Sequence, residues 1–164
     1  MGTASLRGTI LSEVIPPMNP NTSSPMITIL LTFGGAIFGL LGALHAVYTL
    51  LDLRNPRRLV PVDPLVAQAM ANSALRLSRG GTNMWRAWIG FNFSHSLGVL
   101  LVGTLAVLAG SRAKALPVGI IIPAVTLISC IYLVLALLYW FRAPAIAVAL
   151  GSGCFAAAWV LSLK

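Results

Sequence analysis

Acidic side chains are nearly missing from this sequence: its 164 residues include three, Glu13, Asp52 and Asp63, against eleven Lys and Arg. None of the three lies inside a long apolar run, so paired-carboxylate catalysis, hard-cation sites and carboxylate proton relays within a membrane are not expected. Cysteine and histidine are equally scarce, at two each. Cys130 and Cys154 fall inside apolar runs without a paired spacing, which gives no zinc box and no basis for a structural disulfide. Charged residues make up 9% of the chain, where a soluble domain carries about 25%.

What fills the chain instead is apolar: 58% of residues are hydrophobic and the mean hydropathy is +0.92. Four uninterrupted apolar stretches account for it, at about 26–51, 87–110, 117–141 and 144–163. At about 1.5 Å per helical residue each is long enough to cross a hydrocarbon core of about 30 Å. The fold class that follows is all-α, a polytopic four-transmembrane-helix bundle. Pro123 lies inside the third stretch, where it removes a helix hydrogen bond and predicts a kink. Arg142-Ala143-Pro144 reads as the tight turn between the third and fourth spans, which then form an antiparallel hairpin.

Two segments lie outside the spans. Residues 1–25 form a polar tail broken by Pro16, Pro17, Pro20 and Pro25, without the clustered positive charge and apolar run of a cleavable signal peptide. Its apolar residues Ile10, Leu11, Val14, Ile15 and Met18 are expected to dock on a neighbouring subunit, because such a tail cannot bury enough surface by itself. The loop 52–85 holds one short amphipathic helix: Asp63 is placed to cap it, Pro64 to open it, Leu65, Ala69 and Met70 recur at helical spacing, and Gly80-Gly81 ends it.

The net charge of +8 does not form a stripe that would suit nucleic acid; it gathers at span boundaries. Arg7, Arg112, Lys114 and Lys164 lie on one side, four in all, and Arg54, Arg57, Arg58, Arg76, Arg79, Arg86 and Arg142 on the other, seven in all. The positive-inside rule then places loop 52–85 in the cytoplasm and both termini outside.

Within the spans, small residues stand in stripes. Gly35, Gly39, Gly42 and Ala46 line one face of the first helix, and Gly90, Ser94 and Gly98 repeat every fourth residue on the second. Because lipid gives no hydrophobic drive between helices, such stripes predict close backbone packing, here of the first span on the second. His45 lies about 10 Å and His95 about 13 Å into their spans from the same cytoplasmic loop. Asn92 stands one turn before His95, Trp88 and Phe91 share its flank, and Tyr132 reaches comparable depth on the third span, as does Ser152 on the fourth.

Intramembrane ionisable residues are costly, and three readings of this group stay open. The histidines are hydrogen-bonded glue for the bundle; or His45, Asn92, His95, Trp88 and Tyr132 line a small-ligand pocket; or the two imidazoles ligate a haem iron or another metal. Ser94 points away from His95 on the helix, so the pair is no dyad, and no orienting acid accompanies it.

The segment Trp85-Arg-Ala-Trp-Ile-Gly90-Phe-Asn92-Phe-Ser-His95-Ser-Leu-Gly98, together with Gly42-Ala-Leu-His45, resembles a group of small uncharacterised bacterial four-helix membrane proteins. That resemblance implies a bacterial inner membrane and carries no activity. The layout of four spans, a long basic first loop and an Arg and an Asn opening the second helix is also similar to the membrane-associated eicosanoid and glutathione metabolism family. Arg86 and Asn92 sit one or two residues off that family's spacing, and His95 stands where it has a Glu. The third span lacks its polar thiol-binding residues, so nothing here stabilises a thiolate. The functional expectation is a non-catalytic accessory or scaffold subunit of a bacterial membrane assembly, partnered by lipid and by other membrane subunits or copies of itself, with no required cofactor. The alternative is a ligand-, haem- or metal-binding protein or membrane enzyme built on the His45, Asn92 and His95 group.

Overall fold

A computed structural model describes residues 24–111 and 116–164. The protein is all-α. Helix α1 spans Pro25–Arg54, α2 Pro64–Asn72, α3 Met84–Gly110, α4 Val118–Tyr139 and α5 Arg142–Ser162, with one 3-10 turn at Arg76–Ser78. The four long helices are of a length and hydropathy that allow each to cross a membrane. The tail and its expected docking lie, up to residue 23, outside the described residues.

The boundaries follow from local chemistry. The Asn83 side chain accepts from the Arg86 amide, so α3 opens at Met84, before Ala87 where hydropathy alone would start it. The same Asn83 amide donates to Ala71 O at 2.8 Å and ties the end of α2 to the start of α3. Asp63 accepts from Leu65 N and caps α2 at Pro64. The α4–α5 turn is Trp140-Phe141, and Arg142-Ala143-Pro144 belongs to the first turn of α5 instead of to the turn. Proline is tolerated there because first-turn amides have no helical acceptor.

Consecutive spans are neighbours, giving an up-down bundle in which α1 packs on α3 and α5, and α4 on α5 and, more sparsely, on α3. The α1–α3 seam repeats every seventh residue: Gly110 lies against Thr28 O, Gly103 against Gly35, and Gly42 against Ser96. On α3 the seam is therefore Ser96, Gly103 and Gly110, with Leu100 and Val107 between them, and not Gly90, Ser94 and Gly98. Gly90 has open space where its side chain would be and Ser94 is exposed, while Gly98 turns instead to Tyr132 of α4. The α1–α5 contact is reciprocal: Phe155 covers Gly34, Phe38 covers Gly151, and the two rings are 5.4 Å apart. Between α4 and α5, Ser152 donates to Ser129 O at 3.1 Å.

Candidate functional site

The site is built at the end of the bundle that carries the α1–α2 loop and the α4–α5 turn. Trp88, Phe91 and His95 are spaced by three and four residues, so they share one face of α3. Their rings follow one another nearly parallel, Trp88 to Phe91 at 6.1 Å and Phe91 to His95 at 5.9 Å. Trp140, from the α4–α5 turn, continues the series by stacking on His95 at 5.2 Å and 18°. Tyr132 meets His95 edge-on at 5.4 Å, and His45 of α1 does so at 5.1 Å. His45 also lies 5.3 Å from Trp140.

Asn92 organises the polar part. Fully buried, it donates through Nδ2 to Trp88 O at 2.8 Å, and its Oδ1 is 2.8 Å from His45 Nε2. The Asn amide orientation this requires makes His45 Nε2 the protonated, donating nitrogen. His95 and Tyr132, both partly buried, have no hydrogen-bond partner among the described residues. The two histidines thus differ in kind: one is fastened to the bundle and the other is uncommitted.

His95 and Tyr132 face a cavity of about 990 Å³ between α3 and α4. Its wall also includes Trp88, Phe91, Tyr139, Trp140 and Phe141, so six of the chain's thirteen aromatic residues line it. The sparse α3–α4 contact leaves it open through the side of the bundle, where Phe91, Ile131 and Tyr139 are exposed. A smaller space of about 60 Å³ behind His95 reaches His45 and Phe38. Among the described residues no Lys, Arg, Asp or Glu lines either one.

One rim of the cavity is held by an unexpected use of Asp52. Sequence position suggests a solvent-facing stop at the end of the first span, yet α1 continues to Arg54 and Asp52 is 1% exposed. The chain folds back over it, and its carboxylate accepts from the amides of Arg57, Arg58 and Leu59, the last at 2.6 Å. Leu59 O in turn accepts from Trp88 Nε1 at 2.7 Å. A buried carboxylate therefore fixes the loop that fixes a cavity aromatic.

Of the residues picked out in the sequence, His45, Asn92, His95, Trp88 and Tyr132 are brought together here, and Ser152 is committed to α4. Trp140 and Tyr139 were missed, because counting back from Arg142 puts them only about 3 and 4.5 Å deep, shallower than the histidines, and it is the α4–α5 turn that brings Trp140 onto His95. The histidine geometry is not that of a haem pair. Axial ligands lie on opposite sides of a macrocycle, each directing a ring nitrogen at the iron, whereas these rings touch edge to face and His45 Nε2 is taken by Asn92. Among the described residues no group of three or more His, Cys, Asp or Glu is placed to hold a metal ion. Cys130 and Cys154 are both free thiols.

No protein-family model, curated protein or solved structure matches the chain.

Proposed function

We propose that this protein binds a small amphipathic molecule that it takes laterally from the bilayer, between α3 and α4. The observation that carries the reading is the cavity of about 990 Å³ onto which His95 and Tyr132 face without hydrogen-bond partners among the described residues. Ligand pockets have this character: a mostly apolar wall with a few convergent polar groups, in a volume of about 300–1,000 Å³. In an apolar surrounding an unmatched imidazole or phenol is costly, and a ligand oxygen would offset that cost. The accessory-subunit expectation draws on the scarcity of catalytic acids, the lack of a metal box, the helix-packing faces and the N-terminal tail, none of which specifies a cavity, whereas this one is lined by described residues of α3, α4, the 55–63 loop and the α4–α5 turn. On the positive-inside rule the site belongs to the cytoplasmic leaflet of a bacterial inner membrane, with both termini outside.

The test is tryptophan quenching by 12-bromododecanol in detergent micelles. Trp88 and Trp140 line the cavity and Trp159, on α5, does not. Quenching should contain a saturable component that Trp140→Phe reduces and Trp159→Phe leaves in place. Quenching that rises only with the bromide content of the micelle, equally in all variants, would refute a defined site.

A further inference from the structure

The cavity wall narrows the chemical class of what it takes, and we infer that the ligand carries a neutral, planar ring bearing a carbonyl or hydroxyl group, of the quinone or phenol type, on an apolar tail. This rests on the lateral binding site proposed above and deepens it. Three observations point the same way. The first is charge: among the described residues no Lys, Arg, Asp or Glu lines the cavity, so a carboxylate or phosphate drawn into it would lose its water and gain no counter-ion there. The arginines nearest in sequence, Arg58 and Arg142, flank lining residues without joining the wall.

The second is shape. Phe91, His95 and Trp140 present rings inclined by only 23° and 18° to their neighbours in the series, and Trp88 extends it at 25°. His95 is already stacked against Phe91 and Trp140, so a flat ligand ring would extend the series at an end, as at Trp140, by an offset stacking that a flexible chain cannot match, since the chain must also give up rotamer freedom. The third is hydrogen bonding. An uncommitted imidazole offers one donor and one acceptor, and a phenol offers both. His95 and Tyr132, with ring centroids 5.4 Å apart, both stand in the wall and on this inference supply the hydrogen bonds to the oxygen of a bound ring. Asn92, already used by His45 and Trp88 O, leaves that role to them. The apolar tail then lies along Ile128, Ile131 and Leu135 towards the bilayer.

The experiment is displacement of 12-bromododecanol, read by recovery of tryptophan fluorescence, with three competitors: 2-decyl-1,4-naphthoquinone, 1-dodecanol and dodecanoate. Intrinsic quenching by the quinone is corrected with N-acetyltryptophanamide in the same micelles, and its affinity is checked by equilibrium dialysis. The naphthoquinone should bind at least tenfold more tightly than dodecanol, with dodecanoate weakest. His95→Phe, which keeps a ring and removes the hydrogen bond, should weaken the naphthoquinone about fivefold to tenfold and dodecanol less. Trp140→Leu should reduce the ring-over-chain preference to twofold or less. Far-UV circular dichroism of each variant confirms that the helices persist, and Tyr132→Phe gives an independent reading if either fails to fold. Equal affinity for naphthoquinone and dodecanol would overturn this inference while leaving the lateral site standing. Preference for dodecanoate would also overturn it, in favour of an anionic headgroup. Failure of every competitor, with quenching that never saturates, would overturn the site itself.

Discussion

Replacing Gly103 by Ala tests how tightly the first two spans are joined. A Cβ at residue 103 would fall 2.5 Å from Gly39 N, 2.6 Å from Gly35 O and 2.9 Å from Gly39 Cα. All three are backbone atoms, so no side chain can rotate away. Restoring ordinary contact, which begins near 3.4 Å, requires α1 and α3 to part by about 0.5–0.9 Å along a seam where three close approaches share one register. Overpacking of this kind costs about 1–3 kcal/mol, and the upper part of that range applies because both partners are main chain. Alanine returns about 1 kcal/mol through helix propensity, leaving a net loss of about 1–2 kcal/mol. Gly39→Ala is the matched control. Its added Cβ meets nothing within 4 Å, so it should be neutral or stabilising by up to about 1 kcal/mol. Unfolding in mixed detergent and SDS micelles, followed by far-UV circular dichroism, reads both. Identical shifts for the two substitutions would refute the seven-residue seam.

Asp52→Ala should free the amides of Arg57, Arg58 and Leu59, cost about 1.5–3 kcal/mol, and make the 55–63 segment markedly more sensitive to trypsin. Gly98→Ala places a Cβ 2.5 Å from the Tyr132 hydroxyl, so it should push that ring, preserve helix content and weaken amphiphile binding severalfold in the quenching assay. For topology, Leu77→Cys, at a residue 98% exposed in the α2–α3 connection, should be shielded from an impermeant thiol reagent in intact cells, whereas Lys164→Cys should react. Labelling of the first alone would reverse the orientation.

The spans were legible because their signal is composition summed over twenty residues, which no local contact overrides. Small-residue packing was legible on α1, where Gly35 and Gly42 do meet α3, and misread on α3. That helix carries two small stripes, Gly90-Ser94-Gly98 and Ser96-Gly103-Gly110. Fourfold spacing made the first look stronger, while antiparallel packing along the Thr28-Gly35-Gly42 face selects the second, which repeats every seventh residue. The meeting of His45, Asn92 and His95 could be anticipated from depth alone, since both helices start from one loop. The role of Asp52 could not. A carboxylate at a helix end reads as a solvent-facing boundary, and only the return of the chain over it turns the same residue into the buried acceptor of three amides.

The central claim is that the space between α3 and α4 is a binding site for one amphiphile and not a gap filled by bulk lipid or detergent. Equilibrium dialysis of 2-decyl-1,4-naphthoquinone against the purified protein, compared with the variant Ser94→Phe/Ile131→Phe, tests it most directly, because both substitutions add bulk at the cavity wall and neither residue lies in the α1–α3 seam. Saturation at a single site per chain in the unmodified protein, with loss of that site in the filled variant, is the predicted result. Unsaturable uptake, or the same uptake by both proteins, would contradict it.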